Sequence, residues 1–354
     1  MPRIELPISK SIANRLLILQ AIHGDGLMTV SADLPEDVLI LHNALTTLRT
    51  FKTSKTLPTP HINVGNCGTA MRFLTAYCAQ LEGQTTILDG VERMHHRPIG
   101  QLVDALREIG AQIEYLGEEG FPPLRIKGCI LDKHRIVTIN NPQSTQFVSA
   151  LLLIGANVHT DSTSPYITLT REMIKQWGDA AEYTSPLIGG VGGGFIEKDW
   201  SSAAFWYEYV ALYGGEITLP GLCRNSLQGD KVVADIFATL GVQTYYTTEG
   251  VVISSSPLHH TPYTLHHDFV ACPDLYPAVA LTCERLGIQL HATGVESLPL
   301  KESDRLRAVA EHRTDADHRM AMALLIAGYD VDDTACISKS YPCFLDHLRQ
   351  LYEK

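Results

Sequence analysis

The chain has 354 residues, 45% of them hydrophobic and 19% charged, and its 28 Lys+Arg against 39 Asp+Glu leave a formal net charge of −11. That length exceeds one ordinary core and predicts two domains of a globular protein, while the acidic balance excludes a general nucleic-acid binder. No apolar run reaches a membrane span, the opening MPRIELPISKS has no apolar signal core, and eight scattered cysteines without a CxxC pair predict neither a zinc site nor a disulfide framework. Reduced thiols fit a cytoplasmic protein.

In chain order, six polar or glycine-containing loops run into apolar, small-residue helices, starting at Ser9, Gly68, Ser144, Ser201, Pro273 and His318. Each start carries the Ser, Thr, Asp, Gly or Pro of a helix N-terminus, and each helix is apolar nearly all round, the pattern of burial. Amphipathic helices alternate with them. IGQLVDALREIG and DKVVADIFATLG end at Gly110 and Gly241, read as C′ glycines, and each runs straight into an alternating strand. VLILHNALTTL and REMIKQWG are less regular copies. Helix starts recurring about every 60 residues predict a repeat-built architecture of the α/β class, six units dividing as three plus three. Two places break the pattern. Only residues 306–316 separate Arg305 from Asp317, too few for another helix–glycine–strand piece, and DAAEYTSPLIGGVGGGF follows Gly178 in place of a strand pair. The run Gly189–Gly194 matches no phosphate-binding glycine pattern and reads as a flexible connection.

The stretch Lys301–Arg319 packs Lys301, Arg305 and Arg319 among Glu302, Asp304, Asp317 and His318. Alternating charge at this spacing fits a solvated helix face. It also fits a site in which cations grip an anion while a carboxylate moves a proton. Helix N-termini add free N–H groups and partial positive charge. Equivalent helix ends of a repeat point the same way, so Lys10, Arg15, Arg97, Lys301, Arg305, Arg319 and Lys339 are expected to converge on one cleft against Asp274 and Glu302. The pairs His95–His96, His259–His260 and His266–His267 read as surface histidines; His318 stands above them as a site candidate.

The segments LPISKSIANR, VGNCGTAMRFL, MHHRPIGQLVDAL, STQFVSALL, DWSSAAFWYE, NSLQGDKVVADIFATLGV, CPDLYPAVAL, KESDRL, DHRMAMALLIAG and SKSYPCF, in this order along nearly the whole chain, resemble the EPSP synthase (3-phosphoshikimate 1-carboxyvinyltransferase) family. The resemblance implies a two-domain inside-out α/β barrel, three βαβαββ units per domain, with segments 1–8 and 199–354 in one domain and 9–198 in the other, closing on each other. It implies transfer of the enolpyruvyl group of phosphoenolpyruvate to the 5-hydroxyl of shikimate 3-phosphate with release of phosphate, in the route to chorismate and the aromatic amino acids. No metal or cofactor takes part in the implied reaction, and a monomer acting on small molecules, without nucleic acid or membrane, is implied.

By position, Lys10, Ser11, Arg15, Ser144, Thr145, Gln146, Thr163, Asp274, Ser297 and Lys301 resemble the shikimate 3-phosphate set. Lys10, Gly68, Arg97, Gln146, Arg305, Arg319 and Lys339 resemble the phosphoenolpyruvate set. Lys10, Asp274 and Glu302 are the implied catalytic groups, with Lys10 or Glu302 as the acid at carbon and Asp274 as the base. Thr163, Ser297, Ile8 and Phe73 depart from the usual residues at their positions. The related fold of UDP-N-acetylglucosamine enolpyruvyl transferase is a rival reading, but its loop cysteine is missing from ERMHHRPIG. An inactive ligand-binding relative is the other.

Overall fold

The computed structural model describes residues 2–24, 26–31, 34–53, 59–178, 196–256 and 264–352. The chain forms two compact units, one of Met1–Lys10, Ala32–Glu36 and Val191–Lys354, the other of Ser11–Ser31 and Asp37–Gly190. Inside the first unit, Ile8 pairs with Lys198, Ser9 N donates to Glu197 O, and Asp199 N donates to Pro7 O. The glycine run at 189–194 and the pair His259–His260 lie outside the described residues.

The second unit follows α1 (Lys10–His23) and α2 (Glu36–Thr53) with one complete βαβαββ run. That run is β1 (His61–Asn63), α3 (Gly68–Ala79), β2 (Thr85–Asp89), α4 (Gly100–Glu108), β3 (Gln112–Tyr115) and β4 (Leu124–Lys127). Its sheet has the order β1-β2-β4-β3, with β1 and β2 parallel and the remaining pairs antiparallel. The parallel pair needs a crossover, and buried α3 supplies it. Gly110, at φ +100, ends α4 and turns the chain directly into β3, the backbone state glycine adopts without a steric penalty. A shorter run follows: β5 (Ile136–Thr138), α5 (Thr145–Leu153), β6 (Asn157–His159), parallel to β5, and α6 (Pro165–Gly178).

The first unit opens with α7 (Trp200–Tyr213), then β7 (Glu216–Pro220), α8 (Val233–Ala238), β8 (Val242–Tyr246) and β9 (Gly250–Ser255), paired in the order β7-β9-β8. Arg3 forms a parallel bridge with Thr218, so the chain's opening residues stand where the first strand of this βαβαββ run belongs. Next come β10 (Thr264–Asp268), α9 (Tyr276–Leu286), β11 (Gln289–Thr293), parallel to β10, α10 (Arg305–Glu311), α11 (His318–Ala327) and α12 (Phe344–Tyr352).

The α/β class with apolar central helices is as expected. The strand count is lower than three full βαβαββ copies per unit. Among the described residues each unit has one complete run and one βαβα run, and α1 with α2, and α11 with α12, have no strands of their own. For the first unit the reason is visible between α10 and α11, where a six-residue turn takes the place of a strand pair.

Helices α7, α9 and α11 bury almost every side chain in the core of the first unit, against Phe237, Phe269, Tyr341 and Phe344. Each large apolar side chain buried there contributes roughly 1.5–3 kcal/mol. This leaves the polar N-terminal turns of the same helices to carry chemistry. No helix among the described residues is long and apolar enough to cross a membrane.

Candidate active site

In the first unit, Asp274 sits in the 3-10 turn before α9, and three cations converge on it. Arg305 Nη1 lies 2.7 Å from Oδ1, Arg319 Nη2 2.9 Å from Oδ2, and Lys301 Nζ 3.3 Å from Oδ1. Burial by itself would push this carboxyl up, but Arg319, Lys301, Arg305 and Lys10 together hold it well below the usual carboxylate range. Glu302 accepts from Lys339 Nζ at 3.0 Å and from Arg305 Nη2 at 3.2 Å. The alternating charges of Lys301–Arg319 are therefore a buried ion network rather than a solvated helix face.

Arg305 is 1% exposed, and its fork is shared among carboxylates: Nε donates to Asp317 at 2.8 Å, Nη1 to Asp274 and Nη2 to Glu302. Asp317 is fully buried and caps α11 by accepting Arg319 N at 2.9 Å. Arg319 is 2% exposed; Nη2 holds Asp274, and Nη1 meets no protein acceptor. Beside it His318, also buried, has no hydrogen-bond partner on either ring nitrogen. Burial first, then the charges of Lys10, Arg319 and Lys339, push its pKa well down, so His318 is a neutral imidazole. Lys10, at the first turn of α1, acts electrostatically on both Asp274 and His318. Ser297, half-buried, stands just before the 3-10 turn that leads to Lys301 and makes no side-chain capping bond there.

Asp230 joins this cluster without having been singled out in the sequence. It is buried, accepts from Ser201 Oγ, and is pushed up to about 7 by burial and then by the charge of Asp274, with Arg319 opposing. Two neighbouring carboxyls thus divide the labour, Asp274 ionised and Asp230 holding a proton into the neutral range. A raised folded-state value means the native state binds more protons than the unfolded chain between the usual carboxyl range and about pH 7, so this group lowers stability as pH rises through that window. Asp230→Asn is therefore expected to melt progressively higher than wild type as pH is raised from about 4 to 7, with the difference level above that. Thermal midpoints of both proteins across this range measure it.

The second unit holds the other residues singled out. Cys67 caps α3, and Gly68 and Thr69 open it. A Cβ on Gly68 would lie 2.3 Å from Arg72 Nη1 and 2.7 Å from Arg97 Nη2, so the absence of a side chain lets two guanidinium groups crowd against one helix N-terminus. Arg97 is 7% exposed, bonds Asn66 O at 3.1 Å through Nη1, and leaves Nε without a protein partner. Arg72 bonds Pro98 O at 3.2 Å. Gly68→Ala is expected to force both arginines aside and raise the KM for an anionic substrate about tenfold, with kcat less affected, as steady-state kinetics will show.

Gln146 Nε2 donates to Thr69 Oγ1 at 2.9 Å, tying α5 to the start of α3, while Ser144 caps α5 and Thr145 opens it. Arg15 runs inward. Its Nε donates to Thr170 Oγ1 at 2.7 Å, Nη1 to Ser11 O at 2.8 Å, and Nη2 to Ser149 Oγ and Tyr166 O at 3.2 Å. All these acceptors are neutral, and burial pushes the guanidinium down to about 10. Thr163 lies exposed in the loop before α6.

The structure thus gathers Lys10, Asp274, Glu302, Lys301, Arg305, Arg319 and Lys339 in the first unit, and Gly68, Arg97 and Gln146 about the start of α3 in the second. Arg15 packs separately among α1, α5 and α6. Sequence reasoning passed over Asp230 as a site residue, and named Asp317 only among the charges of Lys301–Arg319. The signal for both was position, since Asp230 lies in the 3-10 turn that leads into α8 and Asp317 stands immediately before α11. Among the described residues no group of three or more His, Cys, Asp or Glu is arranged to hold a metal ion.

The profile described as EPSP synthase (3-phosphoshikimate 1-carboxyvinyltransferase) matches residues 2–313 and 309–348. The chain belongs to the EPSP synthase family. A protein of Bacteroides fragilis named 3-phosphoshikimate 1-carboxyvinyltransferase is 37% identical over 408 aligned positions, covering 98% of this chain and 94% of the relative. One of the same name from Colwellia psychrerythraea is 30% identical, over 98% and 96%. An EPSP synthase structure from Acinetobacter baumannii superposes with a TM-score of 0.67 at 20% identity, covering 98% of this chain and 95% of that one, a likeness of fold. Since 408 aligned positions exceed the 354 residues present, members of the family carry internal stretches that this chain lacks.

Proposed function

We propose that this enzyme transfers the enolpyruvyl group of phosphoenolpyruvate to the 5-hydroxyl of shikimate 3-phosphate and releases phosphate. The observation that carries the reading is buried Arg319, which grips Asp274 with one Nη while its other Nη meets no protein acceptor, beside buried His318, whose ring nitrogens have no hydrogen-bond partner. Buried donors of this kind call for an anionic ligand, and the names of the relatives supply its identity.

Protonation of the CH2 carbon of phosphoenolpyruvate makes C2 electrophilic. The 5-hydroxyl oxygen then bonds to C2 and gives up its proton. In the second half, the bond from C2 to the phosphate oxygen breaks, inorganic phosphate leaves, and the new methyl group returns a proton to restore the double bond. Two groups serve as candidates for the acid at carbon, Lys10 and Glu302. Asp274 faces the hydroxyl. Since its cations make it a weak base, it orients the hydroxyl by accepting its hydrogen bond and takes the proton only as the C–O bond forms. In the first unit Lys10, Arg319 and Lys339 stabilise the charge of the tetrahedral adduct, and in the second unit Arg97, Gln146 and the N–H groups at Gly68 form a group of anion donors. Arg305, saturated by Asp317, Asp274 and Glu302, contributes mainly by holding the two catalytic carboxylates in place. The residues assigned to shikimate 3-phosphate are Ser11, Arg15, Ser144, Thr145 and Thr163 in the second unit, Arg15 through the backbone of Ser11 that it holds, and Ser297 and Lys301 in the first.

The test is phosphate release by the purified protein given phosphoenolpyruvate and each acceptor. Release with shikimate 3-phosphate and none with UDP-N-acetylglucosamine is expected; the reverse selectivity, or no release with either, would replace the reading with one of its rivals. The same reading makes the protein a cytoplasmic monomer, consistent with eight cysteines that are all free thiols. Light scattering at the chain mass of 39.0 kDa tests the monomer.

A further inference from the structure

The turn from α10 to α11 is built against the usual backbone preferences. Three of its six residues are non-glycine and left-handed: His312 at φ +51, Asp315 at φ +46 and Ala316 at φ +57. L-residues resist this conformation, Ala more than Asp, and such strain persists only where the surroundings over-determine it. Two tethers do so here. His312 Nε2 lies 2.8 Å from Glu284 Oε1, its ring stacks on Tyr329 with centroids 4.0 Å apart, and the Tyr329 hydroxyl donates to the same carboxylate. Buried Thr314 donates through Oγ1 to Asp332 Oδ1. The turn leads to Asp317, whose N–H is held by Thr314 O at 2.9 Å and whose carboxylate both caps Arg319 and clamps Arg305. Asp332, at the far end of the second tether, begins the segment that delivers Lys339 to Glu302.

We infer that this tethered, strained turn is a positioning device for Asp317 and Arg319. Thr314 and Asp332 are its principal positioning residues, and the His312–Glu284–Tyr329 contact is its second anchor. Without a strand pair to set where α11 begins, the turn sets it. The inference rests on the proposed reaction for its kinetic consequence, though not for its structural one.

Asp332 is exposed, so its variants leave the core untouched. Asp332→Ala is expected to raise the KM for phosphoenolpyruvate about fivefold, the size of one hydrogen bond lost, with kcat changed less than twofold and the melting temperature lowered by a few degrees at most. Asp332→Asn, whose Oδ1 still accepts from Thr314, is expected to stay within twofold of wild type. Adding Ala316→Gly to Asp332→Ala is expected to recover most of the lost KM, because glycine holds the left-handed turn without a tether. Amide exchange supplies a reading that needs no substrate: the Arg319 N–H, capped by Asp317, should exchange at least about tenfold faster in Asp332→Ala than in wild type, while the middle of α11 is unchanged.

Equal kinetics for Asp332→Ala and wild type, equal defects in the Ala and Asn variants, or unaltered exchange at Arg319 would each overturn the inference. An inactive wild type with altered exchange in the variant would remove the proposed reaction and leave the positioning role standing.

Discussion

Asp274→Asn is expected to lower kcat by about 10²- to 10⁴-fold, the range spanned by loss of a proton-transferring group, and to lower the melting temperature as well. The substitution keeps shape and volume but removes the negative charge on which Arg305, Arg319 and Lys301 converge at 2.7, 2.9 and 3.3 Å. Breaking a buried ion pair from one side costs about 3–5 kcal/mol. The lower end applies here, because Arg305 keeps Asp317 and Glu302. The pH dependence separates the stability effect from catalysis. Asp274 has its pKa depressed in the folded protein, so its contribution is complete above the unfolded carboxyl range and is lost as pH falls through the lower folded value. The gap in unfolding free energy between wild type and variant should therefore be level above neutral pH, change where Asp230 titrates because the two carboxyls are coupled, and shrink in more acidic solution. A gap that stays level through strong acid would mean that the charge of Asp274 is not what stabilises the cluster.

Arg97→Ala is expected to lower kcat/KM for phosphoenolpyruvate by about a hundredfold or more, the scale of losing a charged donor in the transition state. The argument rests on three observations: Arg97 is almost fully buried, Asn66 holds it from one side, and Gly68 gives up its side chain so that Arg97 and Arg72 share the start of α3. Lysine in its place should recover little, since an ammonium lacks the planar fork that reaches Asn66 and a ligand together. Steady-state kinetics with each substrate varied in turn make the measurement. A variant as active as wild type would take Arg97 out of the site.

The alternation of buried and amphipathic helices was legible from residue pattern, because periodicity of apolar residues is a local property that burial reads directly. So were the helix start at Ser144 and the left-handed glycines after α4 and α8, where a single residue type meets a single backbone need. Lys10, Asp274, Glu302 and Arg319 were equally visible as candidates, since these residues sit beside helix starts in short charged segments.

Other features were not local, and only the folded chain decided them. Whether Lys301–Arg319 was a solvated face or a buried network depended on Asp274 and Lys339, which sequence distance hides. The protonation of Asp230 depends on Asp274 44 positions away in sequence, through desolvation that no pattern records. Arg15 reads as one of the cleft cations until its neighbours Thr170, Ser149 and Tyr166 appear around it and show it packed apart from the others. The short stretch before Asp317 reads as a deletion; the fold shows that it became a left-handed turn held by Glu284, Tyr329 and Asp332. Composition and spacing determined which helices this chain makes and which charged groups it has available. Charge state, orientation and strain came from contacts between distant segments, because electrostatic energy and backbone strain are set by what surrounds a group in space.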